Sequence, residues 1–319
     1  MSNDRQPAPR LVVVGDASID YFVRVPHIAG HDNKAIGALA GVYGGGMSAN
    51  LAAAAAQQGV AVELITKTGA GPDTDAALAE LRGLGVSTEH SLRDRRHPTW
   101  MCFVQLDPSG EKALTGADTG IKLPEIGEID ASVMAGAAIV APLADDLEWA
   151  AAVAELARER GARVAVDLEP DAFEPDQPEF TRLLKLSDIV FLNAASAAKL
   201  APGGSLDAAQ RLVQLGAELV VASEGARGAF TLDRDGVVHR ARLRTEVTAV
   251  DTTGAGDALA GAFLGALLAG TGVHDSLRRA VAQATHCVTA IGGRTYLSDS
   301  QRGERPDVQI MSTTERYPS

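Results

Sequence analysis

The stretch "DTTGAGDALAGAF", residues 251–263, carries the reading from which the rest follows. Gly254 and Gly256 lack a Cβ, so the backbone there can take unusual dihedrals and come close to a ligand. From Ala258 onward the residues are small and apolar with no proline, which suits the start of a buried helix. The first amides of a helix have no internal partner and lie at the positive end of its dipole. They form a ready site for an anion. Asp257 is out of place beside a bound phosphate, because a carboxylate repels it. It makes sense if it faces the other reactant and accepts its proton. An oxyanion cradle beside a general base is the equipment of phosphoryl transfer. The plainer alternative is that Asp257 caps the helix.

Working outward, the chain alternates strands and helices. "LVVVGD" (11–16) is a short buried strand, "YFVRV" (21–25) alternates, and "AIGALAGVYGGG" (35–46) is a glycine-rich strand ending in a turn. "MSANLAAAAAQQG" (47–59) is a helix, "VAVELIT" (60–66) a strand and "DTDAALAELRGLG" (73–85) a helix. This rhythm predicts a parallel sheet with helices on its faces. It breaks at 97–118, where "TWMCFVQLD", "PSG" and "EKALTGAD" read as a hairpin. With 20–43 these strands form a small separate sheet, inserted into a single domain over 1–319. Alternation resumes with strands "AAIVAPL", "RVAVDLE", "DIVFLN" and "ELVVASEG", and helices at 145–160 and near 206–215. The short strands "AFTLDRD" and "GVVHRARL" follow, then helices at 255–269 and 273–290. The basic stretch "LRDRRHP" (92–98) reads as a solvated turn, and the polar tail from 298 as poorly ordered.

Composition narrows the partners. The 319 residues are 46% hydrophobic, enough for a sizeable core, but only 4% aromatic. A net charge of -12, from 41 acidic and 29 basic residues, argues against nucleic acid, which demands a basic face. It leaves room for a small phosphate ligand held by backbone amides. Cys102 and Cys287 have no disulfide or zinc spacing, and the seven histidines share no pattern. "MSNDRQPAPR" has no apolar core of a signal peptide, and "GAFLGALLAG" is too short to span a membrane. A cytoplasmic protein with no membrane partner is expected.

"GDASID", "GGGMSAN", "SEGARG" and "DTTGAGDALAGAF", in this order, resemble the ribokinase-like carbohydrate kinases, the PfkB family, over about residues 11–295. The resemblance implies a three-layer α/β/α sandwich with a β-sheet lid. It implies transfer of the γ-phosphoryl of ATP, accompanied by Mg²⁺, to a hydroxymethyl group of a sugar. Asp257 falls on the catalytic base, and Gly254, Ala255 and Gly256 on the anion hole. Asp20 falls on the acid that grips sugar hydroxyls, and Gly45, Gly46 and Asn50 on the substrate-side motif. Ser223, Gly225 and Gly228 match the nucleotide loop, which Asn193 precedes. Asp251 and Thr253 match a loop that in many relatives binds a monovalent cation, usually potassium, through carbonyls. Pairing through the lid implies a homodimer.

The chain departs from the family pattern in places. Ser196 stands where Asn-x-x-Glu relatives carry the glutamate that organises Mg²⁺. Asp167 is followed by Glu169 rather than Asn, no Arg follows, and Met47 stands where ribose kinases tend to have lysine. Some readings stay open. Asp16 binds a hydroxyl or caps backbone amides. Tyr21, Phe22, Trp100 and Phe103 form lid core or a dimer contact, or one ring stacks on the acceptor. The acceptor is a sugar or, with Trp100 or Phe103 against a base, a nucleoside. A non-catalytic sensor of nucleotide or sugar is the alternative from another class. A dinucleotide dehydrogenase is disfavoured, because "VGDASID" lacks the Gly-x-Gly-x-x-Gly turn.

Overall fold

The apolar run at the start of the chain shows how the layers arise. Successive side chains of a strand point to opposite faces. Val12 and Val14 enter one core and Leu11 and Val13 the other, all four fully buried. A run with no polar side belongs in a sheet covered on both faces. The computed structural model describes residues 9–109, 112–298 and 309–317.

The first half holds β1 (Arg10–Gly15), β2 (Ser18–Arg24), β3 (Ala38–Gly45), α1 (Met47–Ala56), β4 (Ala61–Ala70), α2 (Pro72–Gly83), β5 (Val86–Ser87), β6 (Leu92–Pro98), β7 (Met101–Leu106) and β8 (Lys112–Ala117). The second half holds β9 (Ile139–Pro142), α3 (Leu147–Glu159), β10 (Arg163–Leu168), α4 (Pro178–Leu186), β11 (Ile189–Leu192), α5 (Ala194–Leu200), α6 (Ser205–Gln214), β12 (Leu219–Ser223), β13 (Ala229–Asp233), β14 (Val237–Leu243), α7 (Ala255–Leu268), α8 (Gly272–Cys287) and β15 (Ile310–Arg316).

Among the described residues the large sheet runs β15-β14-β13-β12-β11-β10-β9-β1-β4-β5, with β6 also on β4. Pairing is parallel from β5 to β12 and antiparallel from β12 to β15. One core packs the sheet against α3, α4, α5 and α6, the other against α1, α2, α7 and α8. The low aromatic content shows in α1 and α7, which meet almost backbone to backbone. A Cβ on Gly261 would lie 2.2 Å from the Leu51 carbonyl oxygen.

The second sheet is the expected lid, ordered β3-β2-β7-β8. Its strands come from two separated stretches of the chain, β2 with β3 and β7 with β8. The Pro108–Ser109 part of its hairpin turn is described, while Gly110 and Glu111 lie outside the described residues.

Two expectations are corrected. "LRDRRHP" is not a turn but strand β6, paired in parallel with β4. Its charges suit a sheet margin, with Arg93 paired to Asp75 and Arg96 to Asp94. The tail also contributes structure: β15 pairs antiparallel along all of β14, from Val237↔Arg316 to Leu243↔Ile310. The stretches 299–308 and 318–319 of that tail, and residues 1–8, lie outside the described residues. Among the described residues no helix is long and apolar enough to cross a membrane.

Candidate active site

The site is built where β1, β10 and the start of α7 converge beneath the lid. Gly254 is the residue before α7 and has φ 76°, a left-handed conformation that favours glycine. A Cβ there would sit 2.5 Å from the Gly293 Cα, so the 251–254 and 292–293 loops touch. Asp251 ties them together. Its Oδ1 accepts from the Thr253 amide (2.9 Å) and hydroxyl (2.7 Å), and its Oδ2 from the Gly292 amide (2.9 Å). The Thr253 and Gly293 carbonyls both accept from the Cys287 thiol, at 3.4 and 3.5 Å. This bracing holds the start of α7, where the Ala255 amide donates to the Thr252 carbonyl at 3.4 Å and the Gly256 and Asp257 amides lack an intrahelical partner.

Asp257 stands in the first turn of α7 and is half-buried. It does not cap the helix: residue 254 is the N-cap, with no side-chain cap bond. Its Oδ2 accepts from Asn50 Nδ2 at 2.9 Å. Burial pushes its pKa well above the usual carboxylate range; the Asn50 bond opposes this, and the charges of Asp167, Asp16 and Glu169 add to it. A carboxylate so raised is a stronger base.

Asp20 lies in mid-strand on β2, between Tyr43 on β3 and Cys102 on β7, and is buried. Its Oδ1 accepts from the Ser18 hydroxyl at 2.6 Å. Burial raises its pKa, partly offset by Ser18 and by the positive charge of Arg294. Gly45 makes room for it: a Cβ there would meet Asp20 Oδ2 at 2.0 Å. Gly46 follows as the N-cap of α1, the helix that carries Asn50. Asp16 realises the capping alternative, its Oδ1 accepting from the Ser48 amide at 2.9 Å in the first turn of α1.

The residues expected on the nucleotide side lie at the ends of β11 and β12. Asn193 caps α5 through its Oδ1, which accepts from the Ser196 amide at 2.9 Å. Ser196 itself is fully buried and donates to the Leu168 carbonyl, so it points away from the site. Glu169, two residues beyond Asp167, faces the Asn193 side chain. Burial raises the pKa of both acids, that of Asp167 to about 7. Ser223 ends β12, and Gly225 and Gly228 bracket the following turn, closed by a 3.0 Å bond from the Gly228 amide to the Gly225 carbonyl. A narrow cavity of about 30 Å³ is lined by Asp145, Asp167, Glu169 and Asp257 among others.

The lid strands sort the aromatic residues. Asp20, Cys102 and Gly116 form one cross-strand row, and Tyr21, Phe103 and Thr115 the next, on the opposite face. Trp100 packs over Gly116 on the Asp20 side, with Lys122 Nζ 5.1 Å from its ring centre. Phe103 therefore lies on the far face, stacked with Tyr21 at 5.3 Å and 45% exposed. Phe22 is lid core, edge-on to Tyr43.

Several residues here were not found in the sequence. Lys122 pairs with Asp145 beside Asp16. Lys112, on the lid strand β8, donates to Thr253 Oγ1 at 3.0 Å and so touches the cradle loop. Arg294, just past the second loop, is 1% exposed. These are single cations in unpatterned stretches, and only the folded chain brings them to the site.

First-turn helix amides with the Asp257 carboxylate beside them suit a phosphotransferase acting on an alcohol. Comparison with known proteins identifies which. The model of the pfkB family carbohydrate kinases matches residues 8–300, and the chain belongs to that family. Ribokinase of Haemophilus influenzae is 26% identical over 302 residues, covering 91% of this chain and 96% of that protein. An ATP-dependent ribose-1-phosphate kinase of Halopiger xanaduensis is 29% identical, over 89% of this chain and 92% of that protein. Among solved structures, Arabidopsis thaliana ribokinase complexed with ribose and ATP superposes with a TM-score of 0.76. It is 24% identical and covers 90% of this chain and 94% of its own. The chain is thus an ATP-dependent sugar kinase of the ribokinase fold.

Proposed function

We propose that the enzyme phosphorylates the hydroxymethyl group of a free sugar, with Asp257 as the general base. The observation that carries this is the placement of Asp257. It lies in the first turn of α7, beside the amides that would hold the transferred phosphoryl, with one oxygen on Asn50. Asp20, on the inner face of the lid, grips acceptor hydroxyls. Gly45, Gly46 and Asn50 shape the floor, and Asp16 acts on the acceptor through its hold on α1. Asn193, Ser223, Gly225 and Gly228 border the nucleotide. A free sugar is favoured over a nucleoside because Phe103 faces outward, which removes one of the two aromatic walls a base could use.

The residues fit the cations that such a reaction uses. Mg²⁺, when bound with ATP, neutralises charge on the phosphates. Asp145, Asp167 and Glu169 offer hard oxygen donors, and Glu169 occupies the role left vacant at Ser196 by facing Asn193. The 251–253 loop would hold K⁺ through carbonyls, since the Asp251 carboxylate is engaged by the Thr253 and Gly292 amides. The outer face of the lid exposes Leu39, Val42 and Phe103, which supports pairing of two lids in a homodimer.

The test is ADP release on a panel of pentoses, hexoses and nucleosides, with Asp257→Asn as control. A pentose or hexose turned over with a kcat/KM at least tenfold above every nucleoside supports the reading. Preference for a nucleoside, or ATP binding without any turnover, refutes it.

A further inference from the structure

A charged side chain lies buried beneath the root of the lid, outside every residue assigned so far. Arg294 is the largest fully buried side chain among the described residues. Its Nε donates to Glu80 Oε2 on α2 at 2.9 Å. Its Nη1 donates to the Gly45 carbonyl at 3.1 Å and to Asn50 Oδ1 at 3.3 Å. Its Nη2 has no partner among the described residues and is pressed under Gly44, where a Cβ would come within 1.8 Å. Three elements therefore meet on one guanidinium: the last residues of lid strand β3, helix α1 and helix α2.

The contact with Asn50 has a consequence for the base. A guanidinium carries only donors, so Asn50 must turn its oxygen toward Arg294. Its amide nitrogen then faces the other way, onto Asp257 Oδ2 at 2.9 Å. Without Arg294, the Asn50 amide is free to turn its oxygen toward Asp257, an arrangement that favours the protonated acid. We propose that Arg294 is a positioning residue for Asp257: it fixes the orientation of Asn50 and so couples the base to the root of the lid. This rests on Asp257 being the base, but the geometry is independent of the acceptor.

The groups that face Asp257 are Asn50 from α1, Asp16 at the end of β1, Asp167 and Glu169 at β10, and Cys287 on α8. Among them the Asn50 bond favours the ionised form, while burial and the surrounding acids oppose it. Arg294 itself is faced by Glu80 and Asp20.

The test reads the ionisation of Asp257 directly, in protein labelled with ¹³C-carboxyl aspartate, the resonance being assigned with Asp257→Asn. Two variants are used. Arg294→Met removes the guanidinium. Gly44→Ala keeps the charge and displaces its far end, and Gly44 has no positive φ to forbid alanine. Both are expected to weaken the acidity of Asp257 by about tenfold, and to change it less than about twofold when introduced into Asn50→Ala. If Arg294→Met does not fold, Gly44→Ala carries the test alone. An unchanged titration in Gly44→Ala, or an equal shift with and without Asn50, would overturn the inference. Because no turnover is read, a failure here is distinct from failure to phosphorylate any sugar.

Discussion

Exchanging Asp257 for asparagine alters one atom and isolates the proton-accepting role. The amide oxygen of the new side chain still accepts from Asn50 Nδ2, so the 2.9 Å bond and the start of α7 are preserved. What is lost is the ability to take the hydroxyl proton. Loss of a general base costs about 10²–10⁴ in rate, or about 2.7–5.5 kcal/mol of barrier. The expected result is a kcat down by that factor, with ATP affinity nearly unchanged. Stability moves the other way. Burial raises the pKa of Asp257 in the folded state. Its contribution to stability is therefore fully present below the unfolded carboxylate pKa and is lost as pH rises through the folded value. At neutral pH the asparagine variant avoids that loss, so its Tm should equal or exceed that of the native enzyme, and the advantage should vanish in acid. The native kcat should carry an acid limb above the ordinary carboxylate range. Coupled ADP release gives the rates and calorimetry at several pH values the stability. A variant that keeps more than a tenth of native kcat would refute the assignment of the base.

Three further outcomes follow from the geometry. Asp20→Ala should raise the acceptor KM roughly ten- to a hundredfold, for hydroxyl bonds to a charged group, and the ATP KM little; equal rises would make Asp20 a purely structural residue. Glu169→Gln should raise the Mg²⁺ concentration needed for half-maximal rate at saturating ATP by several-fold, whereas Ser196→Ala, a buried site turned away, should leave it unchanged; metal titrations decide. Cys102, its thiol pushed up to about 12 by burial and by the charge of Asp20, should react with iodoacetamide at pH 8 far more slowly than a free thiol; mass spectrometry of the modified peptide measures this, and rapid labelling would contradict the buried setting of the lid's inner face.

The division between what was legible and what was not follows the chain. The cradle and base lie within six residues of one another, and the amide positions of a helix start are fixed by local geometry. The buried strands were legible because runs such as 11–14 have no polar side. Helix α4 left a signal that was not used, with Phe180, Leu183 and Leu184 at helical spacing and all buried. Strand β15 left almost none, because "IMSTTER" is an exposed edge with no apolar alternation. Arg294 was unreadable for a different reason. Its partners Glu80, Gly45 and Asn50 lie more than 200 positions away, and nothing local distinguishes a cation that will be buried from one that will be solvated. Asp16 was undecided because one side chain type serves both as cap and as ligand; the folded chain adds the bond from the Ser48 amide.

The small sheet is built from two stretches of the chain, while Gly254 to Asp257, Asn193 and the 223–228 turn all belong to the main sheet and its helices. On the proposed assignments the lid supplies Asp20 to the acceptor, while Asn50 and Asp16 reach it from the main body and the transfer residues lie on α7. Side chains on the inner row of β7 and β8 can be exchanged without moving Asp257, which is anchored by α7 packing backbone to backbone on α1. The acceptor could thus be changed, by natural variation or in a library limited to that row, while the phosphoryl-transfer apparatus is inherited intact. The exception is the root of β3, where Gly44 and Gly45 lie on Arg294 and Asp20. There a change made for the sake of a new acceptor would also be felt by the catalyst.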